Sequence, residues 1–351
     1  MRHRLTGALI VLALASSGLA CGSDQSSSGV AASSDGSPGN AEHEAGDHHH
    51  AGFAEEVSIF AVASAGGLPK PLTGAGELEH EPEEDEAGSE DPREEEADGE
   101  QQVDNPIWSP DGRSIAFTRT PCEYCAPDLF VMRADGSQPR RVGGVRNVFQ
   151  PSWAPDGKHV AVLLPGRRSA LYNLDIRSGE QRLLRRDDAT IEGPSWSSSG
   201  DRIAFARQVT ATNWDLYEIT ARGRGFRRLT STPAQETNPE WSPDARRIAF
   251  TRQLASGRWA IFTMRADGSG ERRVTDGGQS AVEPAWSPDG RRIAYTVQVA
   301  NDRSTIAVAA ADGRHETHVT PPSLYSSQPA WSPDGRTIAF AARPLNAHES
   351  S

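Results

Sequence analysis

Short runs of alternating apolar and polar residues recur along most of the chain, separated by turn-forming residues. Each unit has four such runs, which differ in character. The first ends in tryptophan, as in 238–241, and the second has the form Ile-Ala-Phe, as in 248–250. The third is exemplified by Asp-Leu-Tyr-Glu-Ile at 215–219 and the fourth by Arg-Arg-Val-Thr at 272–275. Short runs rich in β-branched and aromatic residues, bounded by Gly and Pro, predict four β-strands per unit.

The units recur at a nearly constant interval. Their tryptophans are Trp108, Trp153, Trp196, Trp241, Trp286 and Trp331, spaced by 45, 43, 45, 45 and 45 residues. Four antiparallel strands every roughly 45 residues are typical of a propeller blade. Ser-Pro-Asp-Gly after the tryptophan predicts a tight turn. Two units depart from that turn, because 197–200 reads Ser-Ser-Ser-Gly and Ala245 replaces the glycine, but we expect both to turn.

The two ends of the chain predict how the propeller closes. The last unit, 328–342, contains only the first two strands, and 58–73 looks like the missing last two. Joining them makes a sixth blade from both termini and removes free sheet edges. The sequence therefore predicts an all-β, six-bladed propeller of four-stranded antiparallel blades, which we expect to be a monomer.

These units resemble the WD40-like (PD40) repeats of TolB-like propeller proteins. The resemblance covers residues 58–342, six times over. TolB itself also has an α/β domain ahead of its propeller, and residues 22–57 are too short and too polar to form one. The resemblance therefore implies the propeller fold, and the partners of TolB itself are not carried over to this chain.

The charge is distributed unevenly along the 351 residues. The net charge is -12, with residues 1–104 contributing -18 and residues 105–351 contributing +6. The small basic excess of the repeats argues against nucleic-acid binding. The acidic residues concentrate in 77–100, so we expect 74–104 to be a solvated, disordered insert within a propeller that spans 57–343. Residues 344–351 form a short tail.

The first residues are typical of an export signal. Arg2 and Arg4 precede a short apolar run, and small residues follow up to Cys21. The run is too short to span a membrane. Gly-Leu-Ala-Cys-Gly at 18–22 resembles a bacterial lipoprotein box, which implies a signal at 1–21, lipidation of Cys21 and a membrane-anchored, extracytoplasmic protein. Ordinary cleavage near 13–15 is the alternative. Residues 22–56 then form a disordered tether.

The other two cysteines, Cys122 and Cys125, stand in one loop between a second and a third strand. An oxidising compartment favours a disulfide between them. A thioredoxin-like redox site would need a strand-to-helix context that is missing here. A zinc site would need about four ligands, and the repeats offer only scattered histidines.

A histidine-rich tract at 43–50 could hold a divalent cation weakly. We interpret it as a polar linker, because no folded frame fixes its geometry. The sequence accordingly predicts no cofactor, and a divalent cation stays a minor alternative.

The residue before each repeat proline lies in the strand that lines a propeller's channel. These residues are Asn105, Gln150, Gly193, Asn238, Glu283 and Gln328. Five of them are polar, and we expect them to form a ring at the upper mouth of the channel. The ring could bind a peptide end or a small polar ligand. Alternatively, it could cap the inner strands and hold water in the channel.

The sequence contains no recognisable catalytic constellation. No Gly-x-Ser-x-Gly motif occurs, and no residues remain for a hydrolase domain beside the propeller. The favoured hypothesis is a non-catalytic binding or scaffold module, with a protein or peptide of the cell envelope as its partner and a lipid anchor as its contact with the membrane. The alternative is an extracytoplasmic metal-binding protein, or a metal-dependent lyase or hydrolase on a propeller frame.

Overall fold

Six four-stranded antiparallel sheets form the structure, a computed structural model that describes residues 57–73, 102–121, 125–164, 168–300 and 303–345. Within these ranges every strand belongs to one of the six sheets. The strands of the closing blade are β1 (Ser58–Ala63), β2 (Lys70–Pro71), β23 (Leu324–Trp331) and β24 (Thr337–Pro344). Blade 1 consists of β3 (Gln102–Trp108), β4 (Ser114–Thr120), β5 (Asp128–Arg133) and β6 (Arg140–Arg141). Blade 2 consists of β7 (Phe149–Trp153), β8 (His159–Leu164), β9 (Ser169–Asp175) and β10 (Gln181–Asp187).

The remaining three blades repeat the same order. Blade 3 consists of β11 (Ile191–Trp196), β12 (Arg202–Thr210), β13 (Asn213–Thr220) and β14 (Arg227–Arg228). Blade 4 consists of β15 (Glu236–Trp241), β16 (Arg247–Gln253), β17 (Trp259–Arg265) and β18 (Arg272–Arg273). Blade 5 consists of β19 (Ser280–Trp286), β20 (Arg292–Ala300), β21 (Arg303–Ala310) and β22 (Thr317–His318). The first strand of each blade lies beside the first strands of its neighbours, so these six inner strands surround the channel.

The two termini close the propeller as the sequence predicts. β1 pairs with β24 in antiparallel register from Ser58–Ala342 to Ala63–Thr337. The closing sheet has the order β2-β1-β24-β23, so the start of the chain supplies its two outer strands. β3 begins at Gln102, inside the stretch assigned to the acidic insert, because Val103 is buried and pairs with β4.

The core of each blade lies between adjacent sheets. The second strands place fully buried aromatic residues at the middle of five blades, namely Phe117, Phe205, Phe250, Tyr295 and Phe340. Several stack on a third-strand partner, as Phe250 does on Phe262 at 5.8 Å between ring centroids. Removing one such ring would cost about 3–5 kcal/mol.

The repeat tryptophans connect neighbouring blades. The indole N–H groups of Trp153, Trp286 and Trp331 donate to inner-strand carbonyls of the preceding blade at 3.1–3.2 Å. Trp153 also packs in a cluster with residues of blade 1. These tryptophans are therefore part of the scaffold.

The Ser-Pro-Asp-Gly turns form with a recurrent set of hydrogen bonds. In the first turn Gly112 N donates to Ser109 O at 2.9 Å, and Ser109 Oγ donates to Asp111 Oδ1 at 2.7 Å. Both departing turns also form. Ala245 N donates to Ser242 O at 2.9 Å with a φ of 54°, a left-handed conformation that disfavours a side chain.

A second turn joins the third strand of a blade to the fourth, and its glycine has an additional role at the blade interfaces. A Cβ on Gly136, Gly223, Gly268 or Gly313 would lie 2.1–2.4 Å from a carbonyl oxygen of the preceding blade's outer segment. Backbone from two blades therefore meets at these turns, and only glycine fits.

Candidate functional site in the central channel

The six pre-proline residues share an unusual backbone conformation. Their φ angles are positive, between 47° and 57°, for Asn105, Gln150, Gly193, Asn238, Glu283 and Gln328. In each inner strand the pairing with the second strand shifts at this point, which marks a β-bulge. We call these six residues the pre-proline ring.

The pre-proline ring lies within the channel wall. Its members stand one to four residues after the start of their inner strands. They therefore lie just below the loops that join the blades, and their role as a binding site at the channel mouth stays a prediction. All six are partly buried.

Three members of the ring interlock with the next blade. Gln150 Oε1 accepts from Gly193 N at 2.7 Å, and Gln328 Oε1 accepts from Asn105 N at 2.7 Å. Glu283 Oε2 accepts from Gln328 N at 2.9 Å. A side chain of one blade thus accepts a hydrogen bond from a backbone N–H group of the next blade. The bulge turns that N–H group away from the neighbouring strand of its own sheet.

Side-chain length decides which members interlock. Glutamine and glutamate reach the next blade, whereas the shorter asparagines bond inside their own blade. Asn105 Nδ2 donates to Thr118 Oγ1 at 3.1 Å, and Asn238 Oδ1 accepts from Thr237 Oγ1 at 3.0 Å. Gly193 has no side chain. The interlock is consequently missing at Asn105, Gly193 and Asn238. The last two are consecutive members, and we call this part of the ring the open sector.

Four carboxyl groups stand on the inner strands close to the ring. Burial raises the pKa of Glu192 and of Glu240 to about 7. Burial and, secondarily, the charge of Glu283 raise the pKa of Asp104 to about 6. Burial also raises the pKa of Glu283, against the hydrogen bonds from Thr296 and Gln328. All four residues are partly buried.

The sequence interpretation missed three of these carboxyls. Asp104 and Glu192 immediately precede ring members, and Glu240 immediately precedes a repeat tryptophan. Their positions relative to the repeat could have identified them. Glu240 Oε2 accepts from Ser195 Oγ at 2.9 Å, which connects blades 3 and 4 inside the open sector.

The channel groups suit reversible hydrogen bonding. A carboxyl with a pKa near 7 can donate or accept close to neutral pH, and backbone amides and side-chain amides offer both kinds of group. Within 57–73, 102–121, 125–164, 168–300 and 303–345, no three His, Cys, Asp or Glu side chains are grouped so that they could hold a metal ion.

Several predicted features fall outside the residues that the structure describes. They are Cys21, Cys122, the histidine tract at 43–50 and most of the acidic insert. Cys125 is disulfide-bonded. Its pairing with Cys122 stays a prediction, as does lipidation of Cys21. In the described part of the chain no helix is long and apolar enough to cross a membrane.

Comparison with known proteins places the fold in a family. Putative TolB from Agrobacterium tumefaciens is similar in structure with a TM-score of 0.64 and 21% identity, covering 83% of this chain and 99% of that one. TolB from Acinetobacter baumannii has a TM-score of 0.53 and 19% identity, covering 69% of this chain and 65% of that one. Hydrazine synthase from Kuenenia stuttgartiensis has a TM-score of 0.53 and 14% identity, covering 66% of this chain and 41% of that one. At such identities these likenesses concern the fold alone.

No curated protein matches the sequence. The family model of the TolB beta propeller domain, PD40, matches residues 129–349, which is more than half of the chain. The chain therefore belongs to the PD40 family of TolB beta propeller domains.

Proposed function

We propose that this protein is an exported, lipid-anchored and non-catalytic binding module of the cell envelope. Its propeller channel binds a segment of a partner protein or a peptide, and Cys21 attaches the chain to the membrane. Membership in the TolB propeller family supports a protein-binding role. The signal-like start of the chain and its cysteine after small residues support export and anchoring.

The observation that most supports channel binding is the backbone of the pre-proline ring. A non-glycine residue held at positive φ costs about 1–3 kcal/mol, and such residues concentrate at functional sites. Five of the six members are non-glycine residues in this conformation. An extended peptide needs alternating donors and acceptors, which the ring and its carboxyls provide on the channel wall.

The open sector is the part of the ring that fits a ligand best. There Glu192 and Glu240 have pKa values of about 7, and the adjacent Gly193 and Asn238 make no interlock with the next blade. A partner's amide or amino group could bond to these carboxyls, and at Glu240 it would share the group with the bond from Ser195 of blade 3. We therefore place the principal contacts at Asn238 and Glu240.

A matched pair of glycine substitutions tests the channel. Asn238→Gly removes a channel side chain at a φ of 49°, and Ala245→Gly makes the same kind of change at 54° on a turn outside the channel. The full chain and both variants would be used to recover partners from envelope extract. Asn238→Gly, alone or with Glu240→Gln, should lower recovery at least about fivefold, the effect of one lost hydrogen bond. Equal recovery by both variants would exclude the channel as the binding site.

Membrane attachment is tested separately. A Cys21→Ser variant should move from the membrane fraction to the soluble fraction while it keeps the partner. If the variant stays in the membrane fraction, the lipid anchor is wrong, and the channel proposal is unaffected.

A further inference from the structure

The outer edge of blade 2 differs from the outer edges of the other blades. β10 has seven residues, whereas the described outer strands β2, β6, β14, β18 and β22 have two each. It pairs with β9 from Gln181–Leu174 to Asp187–Ser169, and no strand of the described residues lies on its other side. Propellers normally keep only short, protected edges. A long edge is a template on which another strand can pair.

Backbone groups along β10 point away from the sheet. At the turn between the strands, Asp175 N donates to Glu180 O at 2.9 Å. In an antiparallel ladder the direction alternates from residue to residue, so the N–H and C=O groups of Gln181 and Leu183 point outward. These groups can pair with an added strand.

The edge is held rigidly by the blades on both sides. Gln181 Nε2 donates to Gly144 O of the preceding blade at 2.6 Å, and Arg182 Nη2 donates to Ala221 O of the next blade at 2.9 Å. A strand fixed in this way loses little conformational freedom when a partner pairs with it.

Exposed apolar and aromatic side chains flank the edge. Leu183 is 43% exposed and Phe226, on the neighbouring blade, is 41% exposed. The Arg185 guanidinium lies 3.5 Å above the centroid of the Phe226 ring, and that ring stacks on Tyr217 at 4.8 Å. An extended partner would find apolar contact surface beside the backbone groups.

The positive charge of the β10 edge favours an acidic partner. Arg182 and Arg186 are exposed, and Arg185 is half-exposed. The acidic residue of the strand, Asp187, is buried and already bonded to Arg185 and Arg207. We propose that β10 is a docking edge where an extended acidic peptide adds as a fifth strand of blade 2. This site is separate from the channel and binds in a different way. The peptide pairs with the main chain of β10, and the arginines of β10 supply charge complementarity.

Charge also argues against two copies of this chain pairing edge to edge. Antiparallel pairing of β10 with itself would bring the arginines of both copies together, and like charges across a strand pair are destabilising. Arginines and a bulge between Leu183 and Arg185 are also devices that protect an edge from pairing. The experiment must therefore distinguish arginines that bind an acidic peptide from arginines that only prevent other strands from pairing with β10.

The probe is a fluorescein-labelled peptide of alternating glutamate and valine, titrated with the full-length protein and followed by fluorescence anisotropy. Two control peptides are used. One alternates lysine and valine, and the other is the glutamate peptide with alternate backbone nitrogens methylated. The glutamate peptide should bind, and both controls should bind at least about fivefold more weakly, because they lose either charge complementarity or main-chain hydrogen bonds.

Two variants locate the binding site. Leu183→Pro removes an outward N–H, a change that edge strands tolerate, and should weaken binding at least about fivefold. Arg186→Glu should weaken binding as well, whereas Arg177→Glu, on an exposed turn of the same blade, should leave it unchanged. Thermal unfolding confirms that each variant is folded.

Four outcomes would overturn the proposal. The first is no binding of the glutamate peptide either to the full-length protein or to a variant that lacks residues 77–100, which would make the arginines purely protective. The second is equal binding to wild type and to Leu183→Pro. The third is a concentration-dependent dimer that Leu183→Pro abolishes, which would assign the edge to a second copy. The fourth is binding seen only after removal of residues 77–100, which would assign it to the chain's own acidic segment.

Discussion

Replacing Gly268 with alanine should destabilise the propeller more than the same change at Gly257, although the two backbones are nearly alike. Gly268 has a φ of 88° and Gly257 a φ of 83°, and both belong to blade 4. An added Cβ at Gly257 would meet nothing within 4 Å. At Gly268 it would lie 2.4 Å from the carbonyl oxygen of Leu229 in blade 3. The pair therefore separates backbone strain from a clash between blades.

The expected magnitudes follow from these two contributions. Left-handed backbone costs an alanine about 1–2 kcal/mol, which is the whole effect at Gly257. Gly268→Ala adds an overpacked contact of about 1–3 kcal/mol, because backbone of the neighbouring blade must move. The free energy of unfolding should thus fall by about 1–2 kcal/mol in one variant and about 2–5 kcal/mol in the other.

Urea unfolding followed by tryptophan fluorescence measures both values. The chain has eight tryptophans, several of them buried at blade interfaces, so the signal reports on packing between blades. Both variants should keep the slope m of the wild type, since the surface exposed on unfolding is unchanged. Equal losses for Gly257→Ala and Gly268→Ala would refute the conclusion that backbone from two blades meets so closely at Gly268 that only glycine fits.

Three further variants test the turn, the ring and the channel carboxyls. Ala245→Gly should stabilise the protein by about 1 kcal/mol in urea unfolding, because it relieves a positive φ; a loss of stability would contradict this. Gln150→Ala should cost about 1–3 kcal/mol in the same assay, because Gly193 N loses its acceptor; an unchanged midpoint would mean that the interlock is energetically neutral. The difference in free energy of unfolding between Glu240→Gln and the wild type should be about 1–3 kcal/mol more favourable to the variant at pH 8 than at pH 4, as measured by urea unfolding at both pH values. The raised pKa of Glu240, about 7, gives stability below its unfolded pKa that is lost as pH rises through 7, and glutamine has no such loss; a pH-independent difference would contradict this sign.

The fold could be predicted from the sequence because its signals are local and repeated. A strand ending in Trp241, a turn and a strand at 248–250 are each short patterns, and six copies make the assignment secure. Closure also followed from the sequence, since 58–73 and 328–342 are each half of a unit. The role of the second-turn glycines could not be predicted, because it depends on contacts between blades. The local sequence Ala-Asp-Gly-Ser at 266–269 is compatible with a turn, but the approach of Gly268 to Leu229 joins residues of different blades.

The edge strand β10 could not be predicted for a related reason. The fourth strands of blades 1, 3 and 4 have an Arg-Arg pair followed by an apolar residue, and blade 2 instead reads Gln-Arg-Leu-Leu-Arg-Arg-Asp at 181–187. This run is compatible with a strand, but its polar residues do not distinguish a strand from a loop. Its length results from Asp187, which is buried and bonds to Arg207 of the next blade, and from Leu184, which packs against that blade. Both contacts are tertiary.

The pre-proline ring was identified from the sequence by register, yet its conformation contradicts the local preference of its residues. A residue before proline favours extended backbone, and glutamine or glutamate disfavours positive φ. The bulge turns the N–H of each such residue toward the neighbouring blade, where Gln150, Glu283 and Gln328 offer side-chain acceptors. Packing of six blades around one channel therefore overrides the local preference. At Gly193 the positive φ costs a glycine nothing, whereas at Asn238 the strain remains and the side chain makes no bond to the next blade. The strain at Asn238 is thus not offset by an interlock of its own side chain, which is why the open sector is the part of the ring where a ligand would contribute most.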